Sequence, residues 1–171
     1  MTSSLVGSEM CIRDRYVRID HYPGTPVLED FTGVVIYSDL QQSGFFKCSD
    51  PLINRLEENI RWGMKGNFVD IPTDCPQRDE RMGWTGDIQV FARTASYLMK
   101  TAPFFRKWLR DLQAAQLPDG GIPYVVPDIL THQDRDVRDA DANHSASGWG
   151  DAAVVCPYTV YKSVSYTHLR A

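Results

Sequence analysis

The sequence has little cysteine, no long hydrophobic run and no excess of positive charge. Four of its 171 residues are cysteines, and none is paired at Cys-x-x-Cys spacing, so the sequence predicts neither a zinc site nor a disulfide framework. We expect Cys48, Cys75 and Cys156 to be small buried hydrophobic residues. No run of about 18 apolar residues is present, which excludes a membrane-spanning helix of ordinary length from this sequence.

The charge balance argues against two classes of partner. Lysine and arginine number 18 against 22 acidic residues, and the formal net charge is −4. Such a chain lacks the basic surface that binds nucleic acid or anionic membranes, so we expect neither. We predict no metal and no cofactor, because His21, His132 and His144 lack metal-ligand spacing. The aspartates between 134 and 141 also lack the glycine and terminal glutamate of a calcium loop.

The two ends of the chain differ in character from the rest. Residues 1–15 and 164–171 show no clear periodicity and closely resemble translated sequencing adapters, so we exclude both from fold prediction. We therefore expect the natural N-terminus to lie outside this sequence. The cellular location is then left open, with the cytoplasm favoured, and no oligomeric state is predicted.

The remaining sequence divides into residues 16–46, the end of a β domain with its linker, and residues 47–163, the start of a helical domain. Residues 34–37 are β-branched and aromatic, which is typical of a strand. Ser49 or Asp50 is suited to cap a helix that begins at Pro51. Apolar residues at three- and four-residue steps then predict a helix of about four turns. Its predicted inner face consists of Leu52, Ile53, Leu56, Ile60 and Met64.

Three further helices are predicted, at residues 87–100, 104–116 and from near Asp151 to about 162, with Pro157 a candidate kink in the last. Residues 67–86 form a long loop and residues 119–148 an irregular polar segment. No fixed-period repeat is visible. Strands followed by helices indicate a β domain that leads into an all-helical domain.

The most informative segment is the loop at residues 67–87, which holds five acids, two arginines and a tryptophan. Phe68, Ile71 and Trp84 argue against disorder, since they are costly to expose. Crowded carboxylates raise one another's pKa, so that one can donate a proton while another serves as base or nucleophile. The alternative is a surface loop tied by Asp–Arg pairs, with Asp87 only a helix cap, and composition alone favours it.

The order of motifs decides between these interpretations. DCPQRDERMGWTGD at 74–87 is followed by QVFARTASYLM, FFRKWLRDL, DGGIPYVVPD and GWGDA. This series resembles glycoside hydrolase family 78, the bacterial α-L-rhamnosidases, through nearly all of residues 16–162. The resemblance implies a mainly α fold: the N-terminal part of an (α/α)6 barrel, incomplete, preceded by the last strands of a β-sandwich domain. It also implies hydrolysis of terminal α-L-rhamnosides with inversion and without a cofactor.

The resemblance assigns roles by motif. Glu80 matches the general acid, and the adjacent Asp79 is its rival. The general base is expected downstream of this chain, so the chain alone is expected to be inactive. The alternatives are another (α/α)6 glycosidase with a different sugar and a non-catalytic sugar-binding module, against which the acidic loop argues. The residues that match substrate-binding positions are Asp74, Arg78, Trp84, Asp87, Trp149 and Asp151.

Overall fold

The structure, a computed structural model, describes residues 22–75, 81–130 and 144–168. Helices dominate these residues, which confirms the mainly α fold class. None of the helices found there is long and apolar enough to cross a membrane. The elements are a 3-10 turn (Leu28–Asp30), α1 (Pro51–Asn67), the strands β1 (Phe68–Val69) and β2 (Ile71–Pro72), α2 (Thr85–Leu98), α3 (Ala102–Ala115) and α4 (Ala152–His168).

Helix α1 begins where the sequence predicts. The Asp50 carboxylate accepts a hydrogen bond from the Leu52 backbone amide at 2.8 Å, and Pro51 occupies the first helical position. The helix continues to Asn67, about one turn beyond the predicted end. Of the predicted inner face only Met64 is buried, whereas the Leu52 and Leu56 side chains are 80% and 57% exposed. The described residues therefore leave the first half of that face largely uncovered.

The other three helices form the packed part of the molecule. Helices α2 and α3 begin two residues before their predicted starts, and α4 packs against both. Ile88, Ala92 and Ala95 on α2 are buried. The backbone of α4 stays helical to His168, about six residues past the predicted end near residue 162. One backbone hydrogen bond per residue is enough to propagate a helix that has already formed.

The core lies between the β hairpin and the helices α2, α3 and α4. The Phe68 ring stacks on Phe104 with centroids 4.5 Å apart and meets Phe105 edge-on at 6.2 Å. Phe105 and Trp108 are fully buried. Because Phe68 is the first residue of β1, this packing fixes the hairpin and the direction in which the chain leaves it.

A salt-bridge network fastens the hairpin turn to α3. Asp70 adopts a left-handed conformation, with φ of 66°. Its carboxylate lies 2.9 Å from the Lys107 ammonium group, which also pairs with Asp111 at 2.9 Å. The hydrogen bond to Asp70 is the main cause of the raised pKa of Lys107.

The strand predicted at residues 34–37 does not form, so that prediction was wrong for this chain. Residues 22–46 contain no strand ladder, and Val34 is 76% exposed. A strand needs a hydrogen-bonding neighbour, and the described residues supply none for this stretch. The β-branched residues favour an extended strand, but a strand forms only where a neighbouring strand is available to pair with it.

Residues 38–44 lie against the start of β1 and the end of α2. The Ser38 amide donates to the Phe68 carbonyl at 2.9 Å, and the Lys100 amide donates to the Gln41 carbonyl at 2.8 Å. The Gly44 amide donates to the Leu98 carbonyl at 3.0 Å. The linker is thus fastened to the β hairpin and to the end of α2.

Candidate active site

The approach to α2 is held by the segment that follows α3. The Thr85 amide and hydroxyl both donate to the Tyr124 carbonyl, at 2.8 and 3.0 Å. Trp84 pairs with Val125 in an isolated antiparallel bridge. This pairing brings the DGGIPYVVPD motif against the end of the DCPQRDERMGWTGD motif at residues 74–87, called here the carboxylate motif.

Gly83 lies at the tightest point of this contact. The Val126 amide donates to the Gly83 carbonyl at 2.9 Å. A Cβ atom built on Gly83 would overlap the Val126 carbonyl oxygen. Only glycine allows the two backbones to approach this closely.

The GWGDA motif meets α2 from the other side. The Trp149 indole lies against Gly86, and the Gln89 side-chain amide donates to the Gly148 carbonyl at 2.8 Å. The Asp151 carboxylate accepts a hydrogen bond from the Gly148 amide at 3.0 Å, which closes the turn before α4. Three motifs that are distant in sequence therefore meet at the N-terminus of α2.

Asp74 and Asp87 line one cavity of about 400 Å³ between α1, the hairpin and α2. Asp74 follows β2, whereas Asp87 is the third residue of α2, where the helix dipole favours negative charge. The cavity is large enough for a single sugar ring, and polar groups above an apolar floor are typical of small-ligand sites. The floor consists of Ile60, Met64, Phe68, Pro72, Ile88 and Phe91.

Asp74 makes two hydrogen bonds to one residue across the loop. Its amide donates to the Met82 carbonyl at 3.2 Å, and its carboxylate accepts from the Met82 amide at 3.2 Å. Thr73 is fixed just before it, since the Thr73 amide and hydroxyl donate to the Asn67 carbonyl at 2.9 and 3.1 Å. The start of the carboxylate motif is thereby joined to α1.

Trp84 occupies the N-cap position of α2, so Asp87 is not the N-cap residue that the alternative interpretation supposed. The Trp84 indole nitrogen is buried and has no hydrogen-bond partner among the described residues. The Trp149 ring is 38% exposed, and its centroid lies 6.0 Å from that of Tyr124.

Glu80, Arg78 and Asp79 lie outside the described residues, so their predicted roles stay predictions. Asp74 and Asp87 come together in the cavity, while Trp149 and Asp151 lie on the α4 side of α2. The described part of the chain contains no cluster of three His, Cys, Asp or Glu side chains suited to a metal ion.

Sequence reasoning missed three polar residues of the cavity wall. They are Asn59, Asn67 and Thr73. Asn59, Gly63 and Asn67 recur at four-residue steps, so they lie on one face of α1. This row of amide and small residues interrupts an otherwise apolar helix pattern. It was the sequence feature from which the polar wall of the cavity could have been predicted.

The family of the chain is shown by its similarity to known proteins. The family described as the bacterial alpha-L-rhamnosidase 6 hairpin glycosidase domain matches residues 41–169. This chain belongs to that family. Alpha-L-rhamnosidases of Formosa agariphila and Streptomyces avermitilis are 43% and 42% identical to it over 149 residues, or 86% and 87% of this chain. The chain spans only 15% and 14% of the length of these two curated relatives.

Solved structures of rhamnosidases also match this six-hairpin family member. The Streptomyces avermitilis alpha-L-rhamnosidase complexed with L-rhamnose superposes with a TM-score of 0.71 at 42% identity, covering 82% of this chain and 13% of that one. The enzyme from Dictyoglumus thermophilum gives 0.70 at 38% identity, covering 82% and 15%. The predicted fold, an incomplete part of a six-hairpin barrel, is confirmed.

Proposed function

We propose that the complete enzyme containing this segment is an inverting α-L-rhamnosidase that removes terminal α-L-rhamnose from glycosides or oligosaccharides. The observation that carries the proposal is the meeting of Asp74 and Asp87 in one sugar-sized cavity at the start of α2. The family supports it, because its relatives are named alpha-L-rhamnosidases. The family membership itself extends only to this segment.

The acid role belongs to Glu80 in this proposal. Glu80 lies in the sequence between Asp74 and Asp87, inside the motif that the family shares. A carboxyl group among other carboxylates holds its proton to higher pH and can donate it to the leaving oxygen. Asp74, Arg78 and Asp87 would bind the sugar hydroxyls.

Aromatic side chains complete the proposed subsite. Trp84 would offer an apolar face on which the sugar ring could lie, although it is not among the residues that line the Asp74–Asp87 cavity. Trp149 and Asp151 would form a second wall on the α4 side of α2. What supports this division is that Trp149 lies against Gly86 and is not among the residues that line the Asp74–Asp87 cavity.

The general base would come from a part of the polypeptide beyond residue 171. Inversion requires a second carboxylate that activates water on the far face of the sugar, about 6.5–9.5 Å from the acid. The 171-residue chain alone is therefore expected to be inactive.

A chimera offers a direct test. Residues 41–163 of this chain would replace the matching segment of the Streptomyces avermitilis enzyme, to which the chain is 42% identical. We expect the chimera to hydrolyse nitrophenyl α-L-rhamnoside in preference to the corresponding mannoside and glucoside. Preference for another sugar would favour a different glycosidase, and binding of L-rhamnose without any turnover would favour a binding module.

A further inference from the structure

Two aromatic side chains lie beside the sugar-sized cavity, at the first turn of α2. Asp87 lines the cavity, and the residue before it, Gly86, lies against the Trp149 indole. Thr85, one residue earlier, donates its backbone amide to the Tyr124 carbonyl at 2.8 Å. Consecutive Cα atoms are about 3.8 Å apart, so both contacts lie within two residues of a cavity-lining carboxylate. We call Tyr124 and Trp149 the aromatic pair.

The Trp149 indole rests on α2 through one of its faces. A Cβ atom on Gly86 would lie 3.0, 3.0 and 3.1 Å from the consecutive ring atoms Cε2, Nε1 and Cδ1. Nearly equal distances to three consecutive atoms put Gly86 over the face of the ring rather than at its edge. Trp149 is 38% exposed, so its accessible surface lies on the opposite face and along the edges.

Tyr124 is held beside Trp149 by its backbone. Its carbonyl accepts hydrogen bonds from both the amide and the hydroxyl of Thr85. The two aromatic rings have centroids 6.0 Å apart, and their planes differ by 59°. Rings at this angle are tilted rather than stacked, so neither covers the whole face of the other. The aromatic pair therefore presents an angled apolar surface.

The polar side chains next to Trp149 are bonded to the turn before α4. Gln89 donates to the Gly148 carbonyl at 2.8 Å, and one oxygen of Asp151 accepts from the Gly148 amide at 3.0 Å. A sugar ring needs hydrogen-bond partners for its hydroxyls, whereas a planar aromatic ring needs apolar faces. The surface of the aromatic pair therefore suits an aromatic group better than a second sugar.

We propose that Tyr124 is a specificity-determining residue that, together with Trp149, binds a planar aromatic leaving group of the rhamnoside. This proposal rests on the proposed function, which puts the terminal rhamnose in the cavity beside Asp87. The leaving group continues from the sugar through the glycosidic oxygen, so it occupies a surface that adjoins the cavity. The aromatic pair adjoins the cavity at the first turn of α2 and is not part of its lining. Trp149, the second wall of the sugar subsite, would then also face the leaving group.

Binding of sulfur-linked rhamnosides, which resist hydrolysis, tests the proposal without turnover. Nitrophenyl and methyl 1-thio-α-L-rhamnosides would be titrated calorimetrically into the chimera and into its Tyr124→Leu and Tyr124→Phe variants. We expect Tyr124→Leu to weaken binding of the nitrophenyl ligand by about five- to tenfold, because leucine keeps the bulk but not the aromatic face. Tyr124→Phe keeps the ring and should stay within about twofold. Affinity for the methyl ligand should change by less than about twofold in both variants, since it has no ring to lose.

Tyr97→Leu is the matched control. Tyr97 is 65% exposed and lies in the last turn of α2, about 16 Å along the helix axis from Gly86. Its replacement should leave the affinities for both ligands unchanged.

Steady-state kinetics on the oxygen-linked rhamnosides give a second readout. On nitrophenyl rhamnoside we expect Tyr124→Leu to raise KM by about five- to tenfold with kcat within about threefold, since the lost contact binds the substrate and the transition state alike. On methyl rhamnoside both constants should stay unchanged.

Three results would overturn the proposal. Equal weakening of nitrophenyl and methyl ligands in Tyr124→Leu would mean that Tyr124 supports the site without contacting the leaving group. Unchanged nitrophenyl binding would remove the contact altogether. Stronger binding of a sulfur-linked rhamnosyl-glucose, lost in Tyr124→Leu, would assign the surface to a sugar. If the unmodified chimera binds these ligands but hydrolyses no rhamnoside, the proposed function fails, while the ratio of the two affinities still decides the role of Tyr124. If it binds neither ligand, both proposals fail.

Discussion

The Trp149 indole lies so close to the first turn of α2 that a Cβ atom on Gly86 would come within 3.0 Å of its ring. The contact joins residues that are far apart in sequence and brings the GWGDA motif to the start of α2. A glycine in a helix costs roughly 0.5–1 kcal/mol relative to alanine, so close packing is the physical reason for it here.

Alanine substitutions at three glycines should therefore differ in a defined order. Gly83→Ala meets a backbone carbonyl that cannot move aside, and Gly86→Ala meets a packed indole. In the chimera we expect Gly86→Ala to destabilise by about 1–3 kcal/mol and Gly83→Ala by more, measured by thermal unfolding.

Gly33 supplies the control when the same series is measured in the isolated 171-residue chain, because the chimera does not contain residue 33. No atom lies within 4 Å of a Cβ built there, so Gly33→Ala should change stability by less than about 0.5 kcal/mol. Full stability of Gly83→Ala would contradict the close approach of Gly83 to Val126.

Glu80→Gln should abolish turnover of natural rhamnosides in the complete enzyme while leaving L-rhamnose binding largely intact. Loss of a positioned acid typically costs about 100- to 10,000-fold in rate. Initial rates and calorimetric binding would be measured together, with Asp79→Asn as the matched control. If Asp79→Asn loses activity and Glu80→Gln does not, the acid role passes to Asp79.

The stereochemistry of the first-formed sugar tests the inverting mechanism. A base about 6.5–9.5 Å from the acid leaves room for a water molecule, which attacks the face opposite the leaving group. We expect β-L-rhamnose as the initial product, detected by proton NMR before mutarotation. Initial release of α-L-rhamnose would mean a retaining enzyme.

The thiols should differ in reactivity. Burial raises the pKa of Cys156 to about 12, so it stays protonated at pH 8. Cys75 is also buried, whereas Cys48 is partly exposed, which corrects the prediction that all three are buried. Peptide mapping after iodoacetamide treatment of the native chimera should find Cys48 modified first. Equal labelling of Cys48 and Cys156 would contradict the packing of α4.

The raised pKa of Cys156 makes the stability of the fold depend on pH. Its pKa in the folded chain lies above the ordinary thiol value of 9.0, so the stabilisation from the protonated thiol is fully present below about pH 9. That contribution is lost as the pH rises from 9 towards 12. Cys156→Ala, which cannot ionise, should show a weaker loss of thermal stability over this range.

Leu52 and Leu56 lie on the exposed face of α1. Replacing either with glutamine should have opposite effects in the isolated chain and in the chimera. Leu52→Gln and Leu56→Gln should increase the soluble fraction of the 171-residue chain, because both side chains are more than half exposed there. In the chimera, further helices of the barrel should cover this face, and each substitution should destabilise by about 1–3 kcal/mol. Met64→Gln, which replaces a buried side chain, should destabilise in both contexts. Neutral effects of Leu56→Gln in the chimera would mean that the face stays exposed.

The sequence by itself determined the local features. Asp50 and Pro51 begin α1 as predicted, and the periodicity of α2 and α3 placed both helices to within two residues at each end. These features depend on hydrogen bonds and apolar spacing within a few residues, which the sequence records directly. The motif series also determined the family.

Tertiary structure alone decided which residues share a site. The pairing of Asp74 with Met82, the contact of Gly86 with Trp149 and the cavity shared by Asp74 and Asp87 all depend on how separate elements pack. The same holds for the failed strand at 34–37, whose composition was suitable but which has no neighbouring strand among the described residues. Local propensity is a weak preference, and non-local contacts select among the structures that it permits.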